Sequence, residues 1–184
     1  MKPRIVRAGL AVVAGLAGIA VAASGAAPAV AARVVAAPSC GITWGSLDRS
    51  AGDLSQAAVF TVRTGQHDCF DRLVFELDGP ATGYRVSYGE AYTQGQGLPL
   101  SPYTAGGALL AVTLLEPASL PNRTGDHLAG VAGYRTLRDV VFGGSFEGYT
   151  TFAVGVRARL PFQLFVLSGP GTHSRIVLDV AHVW

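Results

Sequence analysis

The stretch "CFDRLVFELDG", residues 69–79, decides the fold. In an extended chain successive side chains point to opposite faces. Leu73, Phe75 and Leu77 then share one face, while Arg72, Val74 and Glu76 share the other. The same grammar closes the sequence in "SRIVLDVAHVW", residues 174–184. There Ile176, Leu178 and Val180 form the apolar set, with Arg175, Val177 and Asp179 on the reverse. A helical period would mix these sets, so both segments read as strands with one buried face. If they are antiparallel neighbours, Arg72 opposes Asp179 and Glu76 opposes Arg175. Such cross-strand pairs are worth about 0.2–1 kcal/mol each and help to fix register. A charged sheet face can instead hydrogen-bond a polar ligand; the structural role is the preferred reading of these four charges.

Working outward, six more segments alternate or run apolar between Gly, Pro and polar punctuation. "AAVFTVRTG" (57–65) places Ala58, Phe60 and Val62 on one face, and "GYRVSYGEAY" (83–92) sets Tyr84, Val86 and Tyr88 against Arg85 and Ser87. "ALLAVTLLEP" (108–117) is almost continuously apolar, as expected of a strand covered on both faces. "LRDVVFGG" (137–144), "YTTFAVGVRARL" (149–160) and "FQLFVLSG" (162–169) complete about eight strands. No segment keeps a 3.6-residue apolar period for three turns without Gly or Pro, so little helix is expected. The fold class is all-β, an antiparallel β-sandwich or barrel. Two connections exceed hairpin length, "GEAYTQGQGLPLSPYTAGG" (89–107) and "EPASLPNRTGDHLAGVAGYRT" (116–136). Loops this long are either functional or simply mobile.

The first 31 residues read as a secretory signal peptide: Lys2, Arg4 and Arg7, then an uncharged run, then small residues at Ala29 and Ala31. The preferred cut is Ala31/Ala32; the rival reading is an uncleaved anchor, the sole expected contact with a membrane. The chain carries 14 Lys and Arg against 12 Asp and Glu. The leader removes three cations and no acid, leaving 11 arginines against 12 carboxylates. No basic patch or tail remains, which argues against nucleic acid as a partner. The remaining length suits one domain, 57–184, preceded by a segment, 32–56. Cys40 and Cys69 are the only cysteines, and in an exported chain an isolated pair reads as one disulfide tying that segment to the domain.

Motifs for catalysis are missing. His67, His127, His173 and His182 are scattered without metal-ligand spacing. "GGSFEG" around Ser145 fails as a nucleophile elbow because Glu147 replaces the second required glycine. Glu76, Asp78, Glu90, Glu147 and Asp179 offer carboxylates for a glycosidase pair, but a β-protein of this size carries as many without using them. No metal, cofactor or catalytic residue is assigned, and the chain reads as a non-enzyme.

The segments "CGITWGSL", "CFDRLVFELDGP-TGYRVSY", "GSFEGYTTFAVGVRARLPFQLFVL" and "RIVLDVAH" together resemble the AMIN-like domain proteins of actinobacteria, over Cys40 to Trp184. The resemblance implies a β-sandwich of two small sheets with internal symmetry. It also implies an exported, envelope-associated role, since AMIN domains accompany cell-wall amidases and secretins and bind peptidoglycan. No amidase segment accompanies the domain within these residues, and the family supplies no catalytic residues to transfer. The expected function is therefore a secreted binding module, a monomer, for peptidoglycan or another envelope component. A secreted hydrolase using a carboxylate pair and a secreted inhibitor or interaction domain are the alternatives. Tyr88, Tyr92 and Tyr103 with Arg85 are the candidate sugar-binding group, through ring stacking and hydroxyl bonding.

Overall fold

A computed structural model describes residues 40–184; the leader read over residues 1–31 lies outside the described residues. Nine strands form two antiparallel sheets: β1 (Arg49–Ala51), β2 (Ala58–Gln66), β3 (Phe70–Asp78), β4 (Tyr84–Tyr88), β5 (Ala108–Leu114), β6 (Leu137–Phe146), β7 (Tyr149–Val156), β8 (Phe162–Ser168) and β9 (Ser174–Ala181). A single 3-10 turn at Ser101–Tyr103 is the sole helical element among the described residues. The five-stranded sheet runs β1-β4-β5-β7-β6 and the four-stranded sheet β2-β3-β9-β8. β9 is thus inserted beside β3 and joins the two ends of the domain.

The expected alternation builds the core. Leu73, Phe75 and Leu77 of β3 and Ile176, Leu178 and Val180 of β9 are fully buried. They meet Leu110, Val112 and Leu114 of β5 and Phe152, Val154 and Val156 of β7 across the sandwich. The Phe75 and Phe152 rings sit 4.6 Å apart. Each such side chain contributes about 1.5–3 kcal/mol by leaving water.

Two sequence expectations fail for local reasons. Ala58, Phe60 and Val62 do not share a face, because the β2–β3 register shifts between Val59 and Thr61. That bulge inserts Phe60 as an extra residue, so Val59 and Val62 turn inward instead. The short β1 escapes the pattern reading because all three of its residues are exposed.

β5 is covered on both faces, as its continuous apolar run implies. The 89–107 loop lies on the outside of the five-stranded sheet, where Ala91 and Leu100 pack against Val141, Ala153, Leu109 and Ala111. Gly155 makes this possible: a Cβ there would fall 1.8 Å from the Ala105 carbonyl oxygen. The 116–136 connection closes one edge of each sheet. Val59 N–H donates to Pro117 O and Ser119 N–H to Val59 O along β2. Along β6, Gly125 N–H donates to Phe142 O, Phe142 N–H to Asp126 O and Leu128 N–H to Val140 O.

Candidate functional site

The outward face of the four-stranded sheet is an array of three rungs. Antiparallel pairing puts Gly65, Arg72, Asp179 and Gln163 abreast, then Arg63, Val74, Val177 and Phe165, then Thr61, Glu76, Arg175 and Leu167. The inward-facing neighbours of these residues form the core, so alternation alone presents this set outward.

The first rung is the most ordered. Arg72 donates Nε to Asp179 Oδ1 (2.6 Å) and Nη2 to Asp179 Oδ2 (2.8 Å), a two-pronged contact. Gln163 Nε2 adds a third bond to Oδ2 at 3.1 Å. Asp179 is fully buried, whereas the Arg72 side chain keeps 29% of its surface exposed. Its hydrogen bonds to Asp179 push the Arg72 guanidinium above its ordinary pKa, against the opposing pull of burial. The guanidinium also stacks on two rings, with its carbon 5.2 Å from the Phe70 centroid and 5.7 Å from that of Phe165. Phe70 in turn meets His67 (4.5 Å, stacked) and the edge of Trp44 (5.6 Å). The disulfide Cys40–Cys69 holds the Trp44 segment beside the start of β3. A band of rings and one guanidinium therefore crosses the sheet, held together by these mutual contacts.

The third rung differs from a simple pair of facing charges. Glu76 stands opposite Arg175, but its carboxylate bonds Arg63, one rung away on β2. Arg175 Nε is left buried without a partner.

Tyr88 does not share a face with Arg85 and so drops out of the tyrosine and arginine group. Tyr88 points between the sheets, where its hydroxyl donates to Leu160 O and accepts from Leu160 N–H. Burial pushes its phenol above the ordinary range. Arg85 lies on the other sheet, against the Tyr149 ring at 5.9 Å. Tyr92 and Tyr103 are exposed on the 89–107 loop. Pattern reading passed over Gln163 and Phe165 because both faces of "FQLFVLS" are apolar enough to be the buried one.

A family model for the AMIN-like domain matches residues 57–182. The chain belongs to the AMIN-like domain family. No curated protein matches it. In this AMIN-like domain the matched residues take in every strand of both sheets except β1.

Several titratable groups are engaged in the architecture. Glu90 bonds Ser101 N–H and hydroxyl, which lowers its pKa. Glu116 is buried, with Oε1 accepting from Thr82 N–H (2.9 Å) and Gly83 N–H (3.0 Å), and burial raises its pKa. Ser145 Oγ bonds Ala118 N–H and Thr150, beside a hairpin turn in which Glu147 and Gly148 both take positive φ. His182 Nε2 meets the buried Asp71 at 2.9 Å, and His127 Nδ1 meets Asp139 at 2.8 Å. Among the described residues no three His, Cys, Asp or Glu side chains gather as a metal site.

Proposed function

We propose that this AMIN-like domain is a non-catalytic binding module of the cell envelope that takes peptidoglycan glycan on the outer face of its four-stranded sheet. The family assignment supports a cell-wall-related binding role. The observation that carries the choice of face is the band formed by Phe70, Arg72 and Phe165 beside the Gln163 amide. Rings and a flat guanidinium suit the C–H faces of a sugar, and neighbouring polar groups suit its hydroxyls. These mutual contacts help, because side chains already held lose little freedom on binding. The non-catalytic reading is supported by the engagement of Glu76, Glu90 and Asp179 within the fold.

The test is co-sedimentation of the purified protein with purified peptidoglycan, using Phe165→Ala beside a Tyr92→Ala/Tyr103→Ala control. Wild type and control should pellet, and Phe165→Ala should not, while its melting curve stays cooperative. Loss in the tyrosine variant instead, with Phe165→Ala unaffected, would move the site to the 89–107 loop. Release of soluble fragments from the pellet would sink the non-catalytic reading.

A further inference from the structure

The described residues carry ten arginines against twelve carboxylates, yet four arginines gather at one end of the sandwich. Hydrogen bonds connect them step by step. Arg138 donates Nη2 to Arg135 O (3.3 Å), and Arg135 donates Nη1 to Asp68 O (3.4 Å). The same carbonyl receives the His182 ring, and Arg157 donates Nη2 to His182 O at 2.7 Å. Arg159 follows two residues later and is anchored by Ser46 through O (2.8 Å) and Oγ (3.2 Å).

Every acceptor in this chain of contacts is a neutral carbonyl or hydroxyl. Among the described residues none of the four arginines forms a salt bridge, unlike Arg63 and Arg72 on the sheet face. Among the described residues no carboxylate side chain forms an ion pair with these four arginines. Asp71 is committed to His182 and to the N–H groups of Thr136 and Leu137, and the exposed Asp48 and Asp68 pair with none of these arginines. Neutral anchors hold the guanidinium groups in place while leaving their charge and remaining N–H donors to solvent. Like charges held together repel unless a ligand neutralises them. Beside them the Trp184 ring is 75% exposed, yet fixed through its indole N–H to Arg159 O at 3.0 Å.

We infer that this end binds a phosphodiester-linked sugar polymer of the envelope, with the arginines on successive phosphates and Trp184 against a sugar face. The inference rests on the envelope-binding reading but uses a different surface, which gives the two separable tests. Isolated walls of the source organism are compared with the same walls stripped of phosphodiester-linked polymer by cold hydrofluoric acid. The protein, Arg135→Glu/Arg138→Glu and an Arg123→Glu control are titrated against both. Arg135→Gln/Arg138→Gln replaces the first variant if reversal disturbs folding.

Intact walls should bind wild type and control alike, about tenfold tighter than the double variant, and the difference should fade with salt. Stripped walls should bind all proteins equally, through the sheet face. Equal binding of wild type to intact and stripped walls overturns the inference and leaves the peptidoglycan reading standing. Binding to neither wall overturns both. Attachment to phosphatidylglycerol vesicles but not to walls would point to another anion and also overturn it.

Discussion

Replacing Arg72 by alanine tests whether the opening strand's charges serve the fold. The buried Asp179 would keep only the Gln163 amide as a side-chain donor. Stranding a buried carboxylate costs about 3–5 kcal/mol, reduced here because the Arg72 side chain is partly exposed and its loss admits water. Losing the guanidinium between Phe70 and Phe165 adds about 0.5–1 kcal/mol. The net expectation is about 2–4 kcal/mol, or roughly 5–12 °C in Tm for a domain of this size. Asp179→Ala should cost less, about 1–2 kcal/mol, because the exposed side of Arg72 can turn to water. The double variant should be more stable than Arg72→Ala alone, since it removes the stranded charge. Urea unfolding followed by fluorescence suits the measurement, because Trp44 lies against Phe70. Equal costs for the two single variants, or a cost below about 1 kcal/mol for Arg72→Ala, would refute the reasoning.

Three further outcomes follow from the packing. Because burial raises the Glu116 pKa, the folded state keeps a proton that the unfolded chain releases above the usual carboxylate range. Stability should therefore fall as pH rises through the window between the usual and the raised value, then level off. Glu116→Gln should remove that slope in urea melts, and a slope that persists would assign it elsewhere. Gly155→Ala should displace the 89–107 loop at a cost of about 1–3 kcal/mol, read as faster proteolytic cutting within residues 89–107; an unchanged cutting rate would show that the loop does not depend on this contact. Opening the Cys40–Cys69 bridge, which spans 29 residues, should cost about 3–4 kcal/mol on loop-closure entropy. A denaturant midpoint indifferent to reductant and to Cys40→Ser/Cys69→Ser would contradict it.

The sandwich was legible because β3 and β9 alternate cleanly and one face of each is wholly buried. Their mutual register followed from four charges, of which Arg72 and Asp179 bond directly while Glu76 turns to Arg63. That detour was invisible because Arg63 belongs to β2, whose bulge at Phe60 resets which residues face outward. The candidate site was harder to read. Its rings come from β3, β8 and the N-terminal segment, and only the pairing of β8 with β9 brings Phe165 to Arg72. Tyrosines drew attention by composition, yet Tyr88 is consumed by the Leu160 backbone.

The closing of one margin of each sheet by the 116–136 connection limits how anything else can dock. A β2 edge already answered by Pro117 and Ser119, and a β6 edge answered by Gly125, Asp126 and Leu128, offer few free backbone groups to an extended peptide. β8 is likewise met at Phe162 N–H by Gly45 O and at Leu164 O by the Tyr84 hydroxyl. Strand-for-strand addition by a visiting chain, or by a second copy, is discouraged along these three margins. Along these margins side chains are what a visitor would meet, and there a ligand without a polypeptide backbone competes on equal terms.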